Sequence, residues 1–419
     1  MGIENGHLTI GGVDAVALAE KFGTPLYVTD ESRIRANYRR FKGAFPDADI
    51  YYAAKANYNL AILNILALEG AGADVFSDGE LFCALKAEIS PDKILFNGNS
   101  KTDAELEMAV REGIRVSVDS LDELQTLLKI AEVQRTEVEI AFRVNPDVSP
   151  KTHPKIATGL KTSKFGIPHA EVISVYKEAL ALRNIKPVGI HCHIGSQILD
   201  VAPFADATRK MMELVDQVNR IGVELKFVDL GGGLGVPYKP GEKAPSPSEL
   251  ADAILPVFEE CTKSLGIAPK LILEPGRYIV ADSTILLARV NTVKRAYKNF
   301  VGIDAGFNLL LRPVMYDAYH NIVIANKADQ SPSDTYSVVG PICESGDVLA
   351  SDRRLPKVEK GDLIAILDVG AYGFSMSSQY NGRPRCAETL VCDGRAKIIR
   401  KSESYDDLLR RQVIPSRLK

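Results

Sequence analysis

The chain has 419 residues, of which 46% are hydrophobic and 25% charged, and its formal net charge is −3. Because this length exceeds what one hydrophobic core usually supports, we expect two domains. The 51 basic and 54 acidic side chains are intermixed, which excludes the basic stripe of a nucleic-acid-binding protein. No apolar run approaches the roughly 20 residues that span a bilayer, so we expect no membrane association.

The N-terminus and the cysteines indicate the compartment. The first residues, MGIENGHLTIGG, lack the basic region and apolar stretch of a signal peptide and the Ser or Thr of a myristoylation signal. The six cysteines form no C-x-x-C pair, and the histidines show no metal-ligand spacing. We therefore expect free thiols, no metal site and a cytoplasmic protein.

Between about residues 49 and 277, apolar, β-branched runs alternate with longer helical patterns. The predicted strands are, in chain order, IYYAAKA, GADVFS, KILFNG, RVSVD, VEIAFRVN, PVGIHCHIG, FVDLGGG and KLILEPG. The helical patterns between them include LAILNILALEG and FADATRKMMELVDQVNRIG. Eight such strands separated by helices predict a parallel sheet closed into a (β/α)8 TIM barrel, with an open doubly wound sheet as the alternative.

After about residue 280 the pattern changes to strands joined by short turns. These strands are TILLARVNTVKRAY, FVGIDAG, TYSVVGP, DLIAILDVG and ETLVCDGRAKIIR. The pattern is typical of an antiparallel β domain. We therefore assign residues 29–280 to the barrel and residues 281–419 to a C-terminal β domain, while the short strand HLTIGG within residues 1–28 fits either one.

Two predicted loops are unusually long. Residues 145–166 follow the fifth predicted strand, and residues 236–249 follow the seventh. Loops of this length are commonly lids or binding loops, although simple insertion is the plain alternative.

Polar residues and glycines collect where the predicted strands end, which is where the chemistry lies in (β/α)8 barrels. They are Lys55, Asp74, His191, His193, Ser196, Gly231, Gly232, Gly233, Gly235, Glu274, Gly276 and Arg277. Each taken alone has an ordinary explanation, such as a core histidine, a helix-capping acid or a surface ion pair. Their occurrence at the same end of one barrel indicates a functional site.

The glycine turn DLGGGLG does not match the G-x-G-x-x-G dinucleotide fingerprint, and a Pro-rich loop rather than a helix follows it. Successive glycines can still direct backbone N–H groups at a phosphate, or they can form a plain turn. Ser196 and the main chain near Arg277 would add further donors.

A lysine amine, a phosphate-binding turn, an imidazole and a buried acid are together what a pyridoxal 5'-phosphate site requires. The amine of Lys55 would form the Schiff base, and the imidazole of His193 would stack on the pyridine ring. The carboxylate of Glu274 would keep the pyridine nitrogen protonated through a charge-assisted hydrogen bond. We therefore interpret Lys55 as the cofactor lysine.

At these motifs the sequence resembles the barrel-type, pyridoxal-phosphate-dependent decarboxylases of basic amino acids, and most closely those that act on meso-diaminopimelate. The matching motifs run nearly end to end and in order: YAAKAN, GADVFSDGEL, KFGI, HCHIGSQILD, GGGLG, EPGRY, RPVMYDAYH, GPICESGD and GAYGFSMSSQYN. The resemblance implies an alanine racemase-like barrel (PLP fold type III) and a β domain that the N-terminal strand completes. It also implies a homodimer whose active sites are shared between subunits.

Residue by residue, the resemblance places Lys55 in the Schiff base, His193 on the ring face and Glu274 at the pyridine nitrogen. Cys343 would be the proton donor and would reach across the dimer. The other residues placed around the cofactor are Asp74, Ser196, Gly231, Gly232, Gly233, Gly276, Arg277 and Tyr372. Without the resemblance, Cys343 and Tyr372 look like an inert turn cysteine and a packed aromatic residue.

Charge helps to identify the substrate. Ornithine, lysine and arginine end in a cation, whereas diaminopimelate ends in an amine and a carboxylate, so its pocket needs both charge signs. Arg277 and Arg312 can hold a carboxylate, with the hydroxyl of Tyr316 beside them. Glu344 can take the distal amine, and Tyr372 completes the expected substrate contacts. The expected reaction converts meso-2,6-diaminopimelate into L-lysine and carbon dioxide.

The sequence leaves three alternative functions open. One is a related decarboxylase of ornithine, lysine or arginine, and another is a racemase on the same barrel, against which the CESGD stretch argues. The third is a non-catalytic regulatory relative. Such a protein would be expected to have lost Lys55, Cys343 or the glycine turn, and all of them are present.

Overall fold

The computed structural model describes residues 1–148, 158 and 163–418. Most of the long predicted loop at 145–166 therefore lies outside the described residues. The chain divides into two compact units. We call them the β unit (Met1–Ile34, Tyr238–Pro240 and Val280–Lys419) and the barrel unit (Arg35–Pro237 and Gly241–Ile279).

The N-terminal stretch begins with short strands. Its elements are β1 (Gly2–Glu4), β2 (His7–Ile10), β3 (Val13–Asp14), α1 (Ala15–Phe22) and β4 (Leu26–Asp30). Strands β1 to β3 form a small antiparallel sheet, so the predicted strand HLTIGG is the middle strand of this sheet.

Eight strands of the barrel alternate with helices as the sequence predicts. The elements of this stretch are α2 (Glu31–Ala44), β5 (Asp49–Ala53), α3 (Leu60–Leu68), β6 (Gly72–Val75), α4 (Asp78–Lys86), β7 (Ile94–Phe96), α5 (Asp103–Arg111), β8 (Arg115–Val118), α6 (Leu121–Gln134), β9 (Val138–Asn145), β10 (Ile167–Pro168), α7 (Val172–Leu180), β11 (Ile185–Cys192), α8 (Ala202–Arg220), β12 (Phe227–Asp229), α9 (Pro247–Leu265), β13 (Lys270–Leu273) and α10 (Arg277–Val280).

The barrel is closed. Its strands pair in parallel in the order β9-β11-β12-β13-β5-β6-β7-β8, and β8 pairs with β9 to complete the ring. The TIM barrel is therefore confirmed, and the open sheet is wrong. One buried apolar cluster draws a side chain from each of six barrel strands: Tyr51, Leu95, Ala141, Val188, Phe227 and Ile272. Side chains from so many strands of a closed barrel can meet only in its interior, so the barrel is filled.

The start of α9 shows how local sequence sets the element boundaries. The side chain of Ser246 accepts a hydrogen bond from the backbone N–H of Glu249, and the side chain of Glu249 accepts one from the backbone N–H of Ser246. Together they form a capping box. Pro247 occupies the first turn, where its missing N–H is not needed. The predicted loop at 236–249 therefore ends inside a helix.

The rest of the β unit is mostly strands. Its elements are β14 (Thr284–Arg295), β15 (Asn299–Ile303), the helix α11 (Arg312–Tyr316), β16 (Ile322–Ile324), β17 (Asp334–Val339), β18 (Val348–Leu355), β19 (Leu363–Ile366), β20 (Ala387–Cys392), β21 (Arg395–Arg400) and the helix α12 (Tyr405–Leu409). The main sheet runs β18-β17-β15-β14-β4-β20-β21, with β19 between β14 and β16. The predicted antiparallel character is confirmed for most pairs, but β15–β17 and β4–β20 are parallel.

The first half of β14, in the sheet of the β unit, is buried on both faces. In β14, Leu286 and Ala288 belong to one apolar cluster and Ile285 and Leu287 to another. Because successive side chains of a strand point to opposite faces, a continuous apolar run such as TILLARV has a core on each side. Among the described residues, no helix combines the length and hydrophobicity needed to cross a membrane.

Candidate active site

Lys55 leaves the end of β5 in a short 3-10 turn, Ala54–Ala56, whose two alanines are buried. Its ammonium group contacts the carboxylate of Asp74 on the neighbouring strand β6 and lies 4.9 Å from the ring centroid of Phe76. The Asp74 side chain is fully buried, whereas the Lys55 side chain keeps 30% of its surface exposed. An acid and an aromatic ring therefore hold an amine that stays accessible.

Asn97 connects this pair to the acid that follows β13. Its amide nitrogen donates to Asp74 at 2.7 Å and to Glu274 at 2.6 Å, and all three side chains are buried. Because one amide serves two carboxylates, Asn97 fixes the positions of both. The sequence analysis missed Asn97, although its place near the end of the third predicted strand, KILFNG, was a usable signal.

Glu274 follows β13 directly and is 4% exposed. One carboxylate oxygen lies 3.6 Å from Nε2 of His191, and Nδ1 of the same ring is 2.9 Å from the hydroxyl of Ser117. Burial alone would raise the pKa of Glu274. Electrostatic attraction to His191 and to Lys55 outweighs burial and holds the pKa of Glu274 below its usual range. Glu274 is therefore an ionised acid in a buried position.

Asp229, at the end of β12, is a third buried acid that the sequence analysis did not select. One of its oxygens accepts from the backbone N–H of Gly231 at 2.8 Å, and the other has no hydrogen-bond partner in the described part of the chain. Burial raises the pKa of Asp229 well above its ordinary value, and the charge of Glu274 raises it further. Ligand atoms of Asp229, Glu274 and His191 lie within 4.8 Å of one another, and all three side chains are buried.

His193 follows β11 and is half-buried. Its Nδ1 accepts from the backbone N–H of Gly232 at 3.2 Å, so the neutral ring carries its proton on Nε2. Burial lowers the pKa of His193 to about 3, and the positive charges of Lys55 and Arg143 add to the effect. An uncharged flat ring of this kind is suited to stacking on another ring.

The turn after β12 requires glycine. Gly231 and Gly233 have φ values of 70° and 117°, which L side chains rarely adopt. A Cβ at Gly232 would lie 2.0 Å from the carbonyl oxygen of Glu274, and one at Gly231 would lie 2.5 Å from that of Cys192. Only bare backbone fits here, and such backbone can approach a phosphate closely.

Two further predicted residues lie together. Arg277, which begins α10, donates from Nη2 to the hydroxyl of Ser196 at 2.9 Å. The preceding Gly276 packs against the Lys55 turn, because a Cβ there would come within 3.0 Å of Ala53. Cys192, His193 and Ser196 belong to one segment, so the Arg277 contact ties the end of β13 to that of β11.

Arg143 is a buried cation that the sequence analysis missed. It lies in β9, is 3% exposed, and its guanidinium is 4.4 Å from the ring centroid of Phe165. Burial lowers the pKa of Arg143, although the nearby negative charges of Asp119 and Glu274 act to raise it. The signal was a lone arginine in the otherwise apolar stretch VEIAFRVN.

In the β unit, Cys343 and Glu344 are exposed, and the hydroxyl of Tyr380 contacts both of them. The side-chain amide of Asn381 donates to the Cys343 sulfur at 3.2 Å, and its oxygen accepts from the Cys343 backbone N–H at 2.9 Å. The hydroxyl of Tyr380 donates to Glu344 at 2.7 Å and lies 3.8 Å from the same sulfur. The hydrogen bond to Glu344 raises the pKa of Tyr380. Neither Tyr380 nor Asn381 was selected from the sequence, although both lie in the quoted motif SSQYN.

Arg312 begins α11, and Tyr316 ends the same helix, so the two lie on one helical face. Arg312 is 5% exposed and its guanidinium lies 4.4 Å from the ring centroid of Tyr238. Nη1 of Arg312 is 2.8 Å from Nε2 of His320. Burial and a local hydrogen bond thus distinguish Arg312 from a surface ion-pairing arginine.

Tyr372 adopts a left-handed backbone conformation with φ 57°. Two tightly packed glycines flank it: a Cβ at Gly370 would lie 1.8 Å from the carbonyl oxygen of Val280, and one at Gly373 would lie 2.2 Å from that of Val369. A bulky residue with positive φ is strained, and such strain concentrates at functional sites.

The predicted site residues therefore form a group in each unit. In the barrel unit, Lys55, Asp74, His191 and Glu274 are joined directly or through Asn97. In the β unit, Cys343 and Glu344 form one cluster through Tyr380. Arg312 and Tyr316 lie together on α11, and Tyr372 lies in a separate loop.

Comparison with known proteins agrees with this chemistry. The model of the pyridoxal binding domain of pyridoxal-dependent decarboxylases matches residues 31–281. The diaminopimelate decarboxylase of Archaeoglobus fulgidus is 58% identical over 411 residues, covering 98% of each chain. That of Methanothermobacter thermautotrophicus is 48% identical over 421 residues, covering 99% of this chain and 97% of the relative.

Solved structures agree as well. The diaminopimelate decarboxylase of M. jannaschii in complex with L-lysine superposes with a TM-score of 0.95 at 43% identity, covering 100% of this chain and 98% of that one. The Helicobacter pylori enzyme with L-lysine gives a TM-score of 0.90 at 40% identity, covering 95% and 98%. With the ionised Glu274, the neutral His193 and the glycine turn arranged as above, this chain belongs to the pyridoxal-dependent decarboxylases, and among them to the diaminopimelate decarboxylases.

Proposed function

We propose that the protein converts meso-2,6-diaminopimelate into L-lysine and carbon dioxide with pyridoxal 5'-phosphate as cofactor. The observation that carries the proposal is the hydrogen-bonded chain from Lys55 through Asp74 and Asn97 to an ionised, buried Glu274. It sets an amine and a fixed negative charge at the ends of two neighbouring strands, β5 and β13.

The residues present fit this cofactor. Lys55 supplies the amine that bonds its aldehyde, His193 the ring that stacks on it, and Glu274 the carboxylate for the ring nitrogen. The phosphate would be held by the glycine turn Gly231–Gly233 with Ser196 and the segment of Gly276 and Arg277. Asp74 and Tyr372 complete the surroundings. When bound, the cofactor supplies an electron sink for the pair left by the departing carboxylate.

The chain's own groups perform the remaining tasks. Ionised Glu274 holds a proton on the ring nitrogen, because a charge-assisted hydrogen bond favours the protonated ring. Neutral His193 stacks without adding a competing charge. Asp74 accepts a hydrogen bond from the Lys55 amine and would so orient that amine toward the cofactor.

The distal end of the substrate carries one charge of each sign. We assign its carboxylate to Arg277, Arg312 and the hydroxyl of Tyr316, with Tyr372 beside them, and its amine to Glu344. Binding at this remote end contributes to catalysis by orienting the carboxylate that leaves.

Cys343 is our candidate proton donor. Its S–H bond breaks as a C–H bond forms at the carbon that has lost carbon dioxide, and the electron pair stays on sulfur. The amide of Asn381, 3.2 Å away, then donates to the thiolate. The exposure of Cys343 and Glu344 in a single chain supports action on another copy's site, and we propose a homodimer with shared active sites.

This function also defines domain roles. We assign residues 29–280 to the cofactor-binding barrel and residues 281–419 to a β domain completed by strands within residues 1–28. The β unit, which contains Met1–Ile34 and Val280–Lys419, supports the assignment.

Product analysis tests the proposal. Purified protein with pyridoxal phosphate is offered meso-diaminopimelate, L-lysine, L-ornithine and L-arginine in parallel, and carbon dioxide and the amine product are measured. L-lysine formed from diaminopimelate alone is the expected result. Turnover of another substrate would retain the cofactor chemistry and reject the roles of Arg312 and Glu344. No turnover of any would favour the regulatory relative.

A further inference from the structure

The motif RPVMYDAYH ends in His320, which has no role in the function proposed so far. His320 is 0% exposed, and both of its ring nitrogens have a partner. Nδ1 lies 2.9 Å from the carbonyl oxygen of Leu367, and Nε2 lies 2.8 Å from Nη1 of Arg312. A buried histidine placed between a carbonyl and a cation is strongly constrained.

These partners define the protonation of the ring. A carbonyl oxygen only accepts, so Nδ1 of His320 carries a hydrogen and donates to Leu367. A guanidinium only donates, so Nε2 must offer its lone pair to Arg312. His320 is therefore neutral, with the proton on Nδ1, and acts as the acceptor for one arm of the guanidinium.

A second contact restrains the guanidinium of Arg312. It lies 4.4 Å from the ring centroid of Tyr238, whose ring meets that of His320 edge to face at 5.4 Å and 70°. Tyr238 comes from the long loop at 236–249, which was predicted to be a lid, a binding loop or an insertion. Tyr238 and His320 both contact the guanidinium of Arg312, so together they restrict its position.

Orientation matters because a guanidinium recognises a carboxylate through two parallel N–H bonds, which require the plane to be set in advance. We propose that His320, with Tyr238, is a positioning residue that orients Arg312 and thereby selects ligands with a carboxylate at the distal end. The inference rests on the proposed function, since it assumes that Arg312 holds that carboxylate.

A merely structural role for His320 would have different consequences. Loss of packing would weaken cofactor retention and the binding of all ligands together. Loss of Arg312 orientation would weaken only those ligands that carry the distal carboxylate. L-lysine and cadaverine form the matched pair, because they share the carbon chain and both amines and differ by that one carboxylate.

The experiment measures the dissociation constants of L-lysine and cadaverine on the holoenzyme by calorimetry, with KM and kcat for meso-diaminopimelate. For His320→Leu, losing a hydrogen bond to a charged group should weaken L-lysine binding and raise KM by about 10- to 100-fold. Cadaverine binding should stay within about twofold, and kcat should fall less than KM rises. His320→Gln, which keeps an acceptor, should recover most of the L-lysine affinity.

Tyr319→Leu is the matched control. Tyr319 precedes His320, but its ring stacks on the guanidinium of Arg353 at 3.4 Å, so its loss should not alter the ratio of the two affinities. If His320→Leu fails to fold, Tyr238→Leu and Tyr238→Phe are compared in the same assay. Only Tyr238→Leu removes the aromatic ring, so only this variant should weaken L-lysine binding relative to cadaverine binding. Equal loss of both ligands, or loss of neither, would overturn the positioning role. Wild-type protein that binds neither ligand would instead reject the proposed function.

Discussion

The barrel group and the Cys343 cluster differ most in burial. Asp74, Asp229 and Glu274 are all buried, and their pKa values are displaced by burial and by one another. Cys343, Glu344, Tyr380 and Asn381 are all exposed. Charges interact strongly in a buried site and weakly in water. The barrel group is therefore organised by electrostatics, whereas the exposed cluster depends on short hydrogen bonds to hold its geometry.

The comparison predicts the largest loss at Lys55. Lys55→Ala should remove the absorbance band of the bound cofactor and lower kcat/KM by on the order of 10³-fold or more, because it removes the amine that lies beside Asp74 at the end of β5. Lys226→Ala is the control, since Lys226 is another barrel lysine paired with an acid, Glu139, but is half-exposed. A cofactor band that persists unchanged in Lys55→Ala would reject the assignment.

Glu274 should come next. Glu274→Gln keeps the shape and the Asn97 contact but removes the negative charge, so turnover should fall about 100-fold or more with the cofactor still bound. The measurement is kcat beside cofactor content by absorbance. A wild-type turnover rate for Glu274→Gln would show that the reaction does not require a negative charge at the ring nitrogen, and would reject this role of Glu274.

A third test concerns stability in the barrel unit. Burial raises the pKa of Glu80 from 4.5 to about 7. The negative charge of Asp74 raises this pKa as well, whereas the positive charge of Lys55 lowers it. A raised folded-state pKa gives stability that is complete below pH 4.5 and is lost as the pH rises through 7. Glu80→Gln should therefore increase the free energy of unfolding at pH 8 by about 1–3 kcal/mol and change it little at pH 4.

Denaturant titration of the apoprotein at both pH values measures this effect. Glu105→Gln is the matched control, because Glu105 occupies the corresponding first-turn position of α5, where its Oε2 accepts from the backbone N–H and the hydroxyl of Thr102 at an exposed cap. A pH dependence that remained the same in Glu80→Gln as in the wild type would show that Glu80 does not titrate in this range.

The smallest effect is expected in the exposed cluster. Asn381 has φ 59°, so Asn381→Gly removes its side chain without straining the backbone. Losing its hydrogen bonds to Cys343 should lower kcat about 3- to 30-fold and leave KM nearly unchanged. Asn5→Gly, at another residue with positive φ, controls for backbone flexibility. A fall in kcat as large as that expected for Glu274→Gln would mean that the cluster of Cys343, Glu344 and Tyr380 is buried during the reaction.

Sequence patterns predicted the barrel because each strand–helix unit is encoded locally. Apolar runs of strand length, helical periods and capping residues all occur within one short segment. The ends of the strands then followed from the fold, and Lys55, His193 and Glu274 could be selected by position. Asn97 and Arg143 were available by the same logic, as a polar residue after one strand and a charged residue within another.

The sequence by itself thus predicted the barrel, the β domain and the family to which the chain is similar, and it indicated the strand ends as the expected place of the chemistry. Only the tertiary structure decided that Asn97 joins Asp74 to Glu274, that burial and the charge of Glu274 raise the pKa of Asp229, that β4 pairs in parallel with β20, and that His320 lies within hydrogen-bond distance of Arg312. The physical reason is distance along the chain. Asn97 and Glu274 are 177 residues apart, and no local pattern specifies which buried groups meet or how their charges change each other's pKa.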